Sequence, residues 1–218
     1  MSWLSYIFPK KIATFHSKYN RDIAVIERNA RPVLLVNGIQ QSGPYTTKLW
    51  KKVLASMPPQ SEKSIATVLV FGVGGGTLFP MLKKRYPNAS VTAVDIDAEI
   101  IQIAKKYFGL NNFFDVRLIC HDARKFLIDA AKKKEAFDLI IIDLYIGNDV
   151  PQFVTLEPFL RSVGRIVAPK GFVIQNYYSF QDQEKNSQIL LDRLQKIYQS
   201  VIRKQILRNV FYYCYSLH

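Results

Sequence analysis

The chain has 218 residues, of which 49% are hydrophobic and 22% are charged, so it is a globular protein and not an intrinsically disordered one. Its formal net charge of +13 indicates an acidic partner, such as a nucleic acid or an anionic metabolite, or else a solvated basic surface. The same charge makes the surface a poor attractor for a polycationic substrate. The lysines are dispersed and no known nucleic-acid-binding motif accompanies them, so nucleic-acid binding stays an alternative without support from a motif.

Cysteine usage and hydropathy indicate a reducing, aqueous compartment. Cys120 and Cys214 are far apart and have no second Cys or His at metal-ligand spacing. We interpret both as reduced thiols of the core, with neither a disulfide nor a metal site. The apolar run that ends at Pro9 is too short for a secretory signal, and no other stretch reaches membrane-spanning length. We therefore expect a cytoplasmic protein with no membrane partner.

The first sixty residues are predicted to form an arm, a β-hairpin unit and a helix. Residues 1–20 are aromatic-rich and are expected to be an irregular arm. Turn-forming residues separate short apolar runs in the part that follows. The predicted strands are 23–27, 33–36 and 39–41, and the predicted helix is 47–57. A polar link over 60–63 then leads into the remainder, residues 61–218, which we predict to be a single larger domain.

Apolar runs alternate with amphipathic segments through that larger domain. The predicted strands are 67–71, 91–94, 116–120, 137–143, 171–175, 202–206 and 210–215. The predicted helices are 78–86, 98–107, 124–133, 153–167 and 188–200. This alternation predicts an α/β fold, namely a Rossmann-like, doubly wound, mainly parallel sheet with a C-terminal antiparallel strand pair.

A glycine cluster and a carboxylate follow the first two strands of this sheet. The glycines are Gly72, Gly74, Gly75 and Gly76, and they permit a tight turn and the close approach of a ligand. Asp95 ends the next strand, where a carboxylate reaches the hydroxyl groups of a bound ribose. Thr77 stands where a dinucleotide fingerprint has its third glycine, which argues against NAD or FAD. The pattern predicts a different nucleoside cofactor.

Two more carboxylates end the third and fourth strands. Asp122 and Asp143 are expected at the carboxyl edge of the sheet, beside Asp95, where open α/β sheets bind their ligands. Asp122 is placed to accept a hydrogen bond from an adenine amino group. Each of the three residues has the alternative role of a helix N-cap, which aspartate also fills well.

Several segments together resemble a known family. The runs VLVFGVGGGTL and VTAVDIDAEIIQIAKKYF resemble the S-adenosylmethionine-binding core of class I methyltransferases and, within them, the spermidine synthase family. The resemblance extends to LLVNGIQQS, HDARKFL, FDLIIIDL and GFVIQNYYS, in the family's order and spacing. Together these segments cover roughly residues 22 to 180, which makes the resemblance far more specific than the glycines alone.

The resemblance implies S-adenosylmethionine or its decarboxylated form as cofactor, no metal, a small-molecule acceptor and a homodimer. Gln41 would contact the nucleoside or methionine part, Asp95 the ribose, and Asp122 with Ala123 the adenine. Asp143 would be catalytic and take a proton from the attacking amine. The cofactor-binding residues implied are Gln41, Gly72, Gly74, Gly75, Gly76, Asp95, Ile96, Asp122, Ala123 and Asp143.

The sequence also departs from the family where the family binds amines. The acid that spermidine synthases carry in the glycine loop, where it binds the amine of the decarboxylated cofactor, is replaced by Gly75. The acids and the Tyr that hold the diamine are replaced by Thr46, Thr47, Trp50 and Lys52. Because a buried, unpaired ammonium is costly, these changes favour methyl transfer over aminopropyl transfer.

The acceptor pocket is accordingly predicted to be apolar and aromatic. The candidate lining residues are Trp50, Tyr145 and Tyr177, with Tyr178 beside them, and plain packing is the alternative role for each. The leading hypothesis is a spermidine synthase-like methyltransferase. The alternatives are a polyamine aminopropyltransferase and a non-catalytic module that binds a nucleoside or a nucleic acid.

Overall fold

The computed structural model describes residues 8–57, 65–112, 116–147, 149–178 and 183–215. The predicted link over 60–63 and the first seven residues of the predicted arm lie outside these ranges. The strands are β1 Lys10–Phe15, β2 Ile23–Arg28, β3 Arg31–Val36, β4 Ile39–Ser42, β5 Thr67–Phe71, β6 Ser90–Asp95, β7 Val116–Cys120, β8 Phe137–Ile142, β9 Val167–Tyr177, β10 Ser200–Ile206 and β11 Asn209–Tyr215. The helices are α1 Pro44–Ala55, α2 Phe79–Arg85, α3 Ala98–Phe108, α4 Ala123–Lys132, α5 Glu157–Gly164 and α6 Gln183–Gln195.

Strands β1 to β4 form an antiparallel sheet in chain order. The β2–β3 turn has both central residues, Asn29 and Ala30, at positive φ, and Asn37 and Gly38 repeat this in the β3–β4 turn. Such turns match the twist of the flanking strands, so the predicted hairpins are confirmed. The prediction of an irregular arm was wrong for residues 10–15, because β1 pairs with β2 along its length.

The other seven strands form one sheet in the order β10-β11-β9-β8-β5-β6-β7. Strands β7, β6, β5, β8 and β9 are parallel neighbours. β11 runs antiparallel between β9 and β10. The predicted Rossmann-like fold with a C-terminal antiparallel pair is therefore confirmed. The strand order reverses between β5 and β8, which is the position where doubly wound sheets bind ligands.

Helices cover both faces of this sheet, which explains why its central strands are apolar throughout. In β5, Val68 and Val70 face a core that includes residues of α1, α2 and α3. Leu69 and Phe71 face the opposite core, with residues of α4, α5 and α6. Alternate side chains of one strand thus join two different cores, as the two-residue period of a strand requires.

Two predicted boundaries were wrong. The predicted helix 153–167 is instead a short 3₁₀ helix, Gln152–Thr155, followed by α5. Leu156 between them is extended, and Pro158 lies in the first turn of α5, where its fixed φ starts a helix. Residues 167–170 belong to β9. Helix α6 also begins and ends about five residues earlier than predicted.

The two cysteines differ in exposure. Cys214 is a buried free thiol, as predicted. Cys120 is a free thiol too, but it is exposed, so its assignment to the core was wrong. The reason is its position at the end of β7, which is an edge strand of the sheet.

Within the described parts of the chain, no helix combines the length and the apolar character needed to cross a membrane.

Candidate functional site

A cavity of about 300 Å³ lies at the carboxyl ends of the central strands. Its floor is formed by the residues that follow β5, β6, β7 and β8, and its roof by the N-terminal sheet. The lining includes Gly72, Gly74, Asp95, Ile96, Asp122, Ala123 and Asp143 from the floor, and Asn20, Leu34, Val36 and Gln41 from the roof. Most of the residues predicted to bind a cofactor therefore meet in one place.

The glycine loop is held against neighbouring strands. A Cβ atom at Gly72 would lie 2.1 Å from the carbonyl oxygen of Asp143, so only glycine permits this approach. The Asp95 carboxylate accepts hydrogen bonds from the N–H of Val73 at 2.8 Å and of Asp97 at 2.9 Å. Burial raises the pKa of Asp95 to about 6, while these N–H groups oppose the rise. Asp95 thus positions the loop and also lines the cavity.

Gly75 lies against Ser42, a lining residue of this cavity, although Gly75 itself does not line it. Its N–H donates to the Oγ of Ser42 at 2.7 Å, which ties the glycine loop to β4. A Cβ atom at Gly75 would lie 2.7 Å from both the Cβ and the Oγ of Ser42, and 3.1 Å from the Phe108 ring. Gly75 and Gly76 do not line the cavity. The structure thus places these two glycines in packing positions, with no room for a side chain at Gly75 beside Ser42.

Asp122 is both a helix cap and a lining residue of the cavity. It caps α4 by accepting from the N–H of Arg124 at 2.8 Å, and it also lines the cavity. The Arg124 guanidinium bonds the same carboxylate through Nη2 at 2.6 Å and Nε at 3.1 Å. These hydrogen bonds lower the pKa of Asp122 to about 2, so the group is an anion at neutral pH.

Asn20 joins the roof of the cavity to its floor. Its Nδ2 donates to Asp97 at 2.8 Å, and its Oδ1 accepts from the N–H of Gly147 at 3.0 Å. Gln41 donates to the carbonyl of the same Gly147 at 3.1 Å. Neither Asn20 nor the buried Asp97 was predicted from the sequence. Asn20 was missed because residues 1–20 were expected to be an irregular arm. Asp97 was missed because only Asp95, the first acid after β6, was considered.

A second cavity, of about 320 Å³, adjoins the first. The two cavities share five lining residues, namely Gln41, Thr46, Trp50, Asp143 and Tyr145. The second cavity is completed by Ile39, Gln40, Tyr45, Leu49, Asn176, Tyr178, Arg208 and Asn209. Asp143 therefore lies where two chambers of similar size meet.

A hydrogen-bonded network holds Asp143 in this position. Asn176 donates to its Oδ1 at 2.7 Å, and Asn209 donates to Asn176 at 2.9 Å. Asn209 also accepts from the hydroxyl of Tyr45 and donates to that of Tyr145, both at 3.3 Å. Burial raises the pKa of Asp143 to about 6, and hydrogen bonds from the side chains of Asn176 and Trp50 limit the rise. The carboxylate can therefore be ionised at neutral pH and accept a proton.

The aromatic residues proposed for an acceptor pocket separate into two groups. Trp50, Tyr145 and Tyr178 line the second cavity. Tyr177 lines neither cavity, so its assignment to the pocket is corrected here; it is buried in the core beneath the opposite face of the sheet. The strand period explains the difference, since Asn176 and Tyr178 flank Tyr177 and point the other way. Three further lining residues of the second cavity, Asn176, Asn209 and Arg208, were not among the residues predicted from the sequence.

Within the described parts of the chain, no three His, Cys, Asp or Glu side chains are grouped so that they could hold a metal ion. The first cavity, by contrast, fits an adenosine-containing cofactor. It offers carboxylates at the ends of neighbouring strands, and its floor at Gly72 and Gly74 has no side chain to obstruct a ligand.

The chain is similar to known transferases over this region. The family described as a methyltransferase domain matches residues 68–171. A polyamine aminopropyltransferase of Vibrio vulnificus is 29% identical over 112 residues, which are 51% of this chain and 38% of that protein. An eEF1A lysine and N-terminal methyltransferase homolog of Drosophila melanogaster is 29% identical over 140 residues, 62% of this chain and 20% of that protein. The chain thus spans well under half the length of these curated relatives.

Solved structures show the same fold. Spermidine synthase from Thermotoga maritima superposes with a TM-score of 0.75 at 19% identity, over 94% of this chain and 72% of that one. Human methyltransferase-like protein 13 in complex with SAH superposes with a TM-score of 0.66 at 21% identity, over 81% of this chain and 83% of that one.

Over residues 68–171 the chain is thus similar to the methyltransferase domain family, and its fold is the one seen in the spermidine synthase and methyltransferase-like structures on which it superposes. The proteins similar to this chain include both an aminopropyltransferase and a methyltransferase homolog.

Proposed function

We propose that the protein is an S-adenosylmethionine-dependent methyltransferase that acts on a small acceptor, with Asp143 as its general base. The observation that carries this proposal is the position of Asp143. Among the described residues it is the one acidic side chain that lines both cavities. A cofactor in the first cavity and an acceptor in the second would meet beside its carboxylate.

The residues of the first cavity support a role in binding the cofactor. Asp95 and Ile96 would hold the ribose, and Asp122 with Ala123 the adenine, in agreement with the positions of their strands. Gln41, anchored to the Gly147 carbonyl, would close the cavity from above. The glycine loop at Gly72 and Gly74 would lie beneath the methionine part.

Bound S-adenosylmethionine supplies an electrophilic methyl group on a sulfonium centre. The protein's part is to align an acceptor nitrogen or oxygen with that carbon and to remove its proton. Asp143 would take the proton that the acceptor nitrogen or oxygen loses when the methyl group is transferred to it and S-adenosylhomocysteine is left. Asn176 and Trp50 keep the carboxylate oriented during this transfer.

Methyl transfer is favoured over aminopropyl transfer by the surroundings of Gly75. An acid at this position, which would bind the amine of the decarboxylated cofactor, is absent, and the contact with Ser42 leaves no space for one. The second cavity likewise has Asp143 as its one acidic residue among those described. A diamine needs an anionic partner at each end, and here it would find one.

Aminopropyl transfer is the second candidate function. It is supported by the superposition on spermidine synthase over 94% of the chain. A non-catalytic module that binds nucleic acid through its basic surface is a third possibility, and salt-dependent binding of RNA without binding of either cofactor would indicate it.

The by-product of the reaction distinguishes the two enzymes. Methyl transfer leaves S-adenosylhomocysteine, whereas aminopropyl transfer leaves methylthioadenosine. The protein is given both cofactors together with the small-molecule fraction of a cell extract, and both by-products are quantified by chromatography. We expect S-adenosylhomocysteine from the wild type and neither by-product from Asp143→Asn. Methylthioadenosine as the main by-product of the wild type would refute methyl transfer.

A further inference from the structure

The second cavity contains an unusual pair of charged residues. Its lining consists of aromatic, amide, hydroxyl and aliphatic side chains apart from Asp143 and Arg208, which are the two charged residues of the lining among those described. Asp143 also lines the first cavity, whereas Arg208 lines the second alone. The second cavity thus has an aspartate at its junction with the first cavity and an arginine elsewhere in its lining.

The fold fixes the place of Arg208. It lies in the two-residue turn between β10 and β11, whose register pairs Ile206 with Asn209. Leu207 supplies the positive φ, 56°, that this tight turn needs. Asn209, the next residue, is 8% exposed and is bonded to Asn176, Tyr145 and Tyr45. The network that orients Asp143 therefore also anchors the turn that carries Arg208.

The charge of Arg208 selects among acceptors. Arg208 is exposed to solvent, and we place the far end of the acceptor beside it. A second ammonium on the acceptor would meet a like charge there, whereas a carboxylate or phosphate would form a charge-assisted hydrogen bond. The net charge of +13 acts in the same direction during encounter.

We infer that the acceptor is an amino or hydroxy compound with an anionic group at its far end, held by Arg208 while its nucleophilic nitrogen or oxygen faces Asp143. This inference rests on the proposed function and specifies the substrate class of the same site. The neutral lining between the two charges, including Leu49 and Tyr178, suits an aliphatic or aromatic spacer.

Matched pairs of probes test the inference. Putrescine is compared with δ-aminovalerate, and tyramine with para-hydroxyphenylpropionate, so that each pair differs chiefly in the sign of the far charge. Binding to the full chain saturated with S-adenosylhomocysteine is measured by calorimetry. We expect the anionic member of at least one pair to bind roughly tenfold more tightly than its cationic partner, the magnitude of one charge-assisted hydrogen bond.

Charge reversal of the residue provides the decisive comparison. Arg208→Glu should reverse the preference towards the cationic member, and Arg208→Gln should abolish the preference without reversing it. Arg165→Glu makes the same change of charge at another exposed arginine, one that lines neither cavity, and should leave the preference as in the wild type. Unfolding temperatures of the three variants verify that each one folds.

The outcomes separate the two proposals. Failure of S-adenosylhomocysteine to bind would overturn the proposed function itself. If S-adenosylhomocysteine binds but the wild type shows no preference for an anionic member, whether both probes bind or neither does, the inference about Arg208 is wrong. An anionic preference that persists in Arg208→Glu would also overturn it.

Discussion

Replacing Asp143 by Asn should inactivate the protein and stabilise it. The pKa of this carboxyl rises from 3.8 to about 6 because burial removes it from water. Each tenfold change in the ionisation constant of a carboxyl corresponds to about 1.4 kcal/mol. Keeping the Asp143 carboxyl charged therefore costs the folded protein about 3 kcal/mol at neutral pH. Asn avoids this cost but has a single acceptor oxygen for the two donors, Asn176 and Trp50, which loses about 1 kcal/mol of hydrogen bonding, so the free energy of unfolding should increase by about 2 kcal/mol.

The pH dependence of this gain has a definite sign. Because the folded-state pKa is raised, the folded protein binds more protons than the unfolded chain between about pH 4 and pH 6, and wild-type stability falls as the pH rises through that window. The stability gained by Asp143→Asn should therefore be complete above about pH 6 and disappear near pH 4.

Thermal unfolding at a series of pH values measures this directly. We expect the unfolding temperature of Asp143→Asn to exceed that of the wild type by roughly 4–8 °C at neutral pH. Transfer activity should fall roughly 100-fold to 10,000-fold, the usual contribution of a general base. Asp22→Asn, which removes an exposed carboxylate, is the matched control and should change neither quantity. An activity close to that of the wild type, or a stability gain that does not vary with pH, would refute the reasoning.

Three further predictions concern the same site. The rate of transfer should rise with pH through about 6 and level off above it, because Asp143 acts in its ionised form; a profile that falls through this range would contradict its role as base. Gly75→Asp should lower the unfolding temperature because its side chain would collide with Ser42, and adding Ser42→Gly should restore most of the loss. Equal unfolding temperatures for the wild type, Gly75→Asp and the double variant would show that position 75 has room for a side chain. Asn209→Ala should cost about 1–3 kcal/mol of stability by leaving buried polar partners without hydrogen bonds, and should slow transfer while calorimetric cofactor affinity stays unchanged.

The sequence predicted those parts of the fold that depend on local pattern. Apolar runs such as Phe137–Ile142 are buried on both faces and are unambiguous as central strands. Strand β1 was missed because its sequence, KKIATF, is mostly exposed and lacks the apolar pattern of a buried strand. It is held in the sheet by backbone pairing with β2, and not by burial of its side chains. The break before Pro158 was missed because hydrophobic spacing continues across Leu156.

The site was predictable where its residues end parallel strands. Asp95, Asp122 and Asp143 each follow a recognisable strand, and the parallel sheet brings such ends together. Asn209 and Arg208 were not predictable in this way. They reach the site because β11 inserts antiparallel beside β9, a long-range pairing that places Phe211 opposite Asn176. No local pattern around residues 207–209 records that pairing.

The central claim is that the first cavity binds S-adenosylmethionine at least as tightly as its decarboxylated form. Calorimetric titration of the full chain with each compound, under identical conditions, tests it most directly. Since position 75 holds glycine and the space beside it is filled by Ser42, the account predicts that S-adenosylmethionine binds at least as tightly as the decarboxylated compound. Binding of the decarboxylated compound that is roughly tenfold tighter, about 1.4 kcal/mol, would contradict the account and indicate aminopropyl transfer.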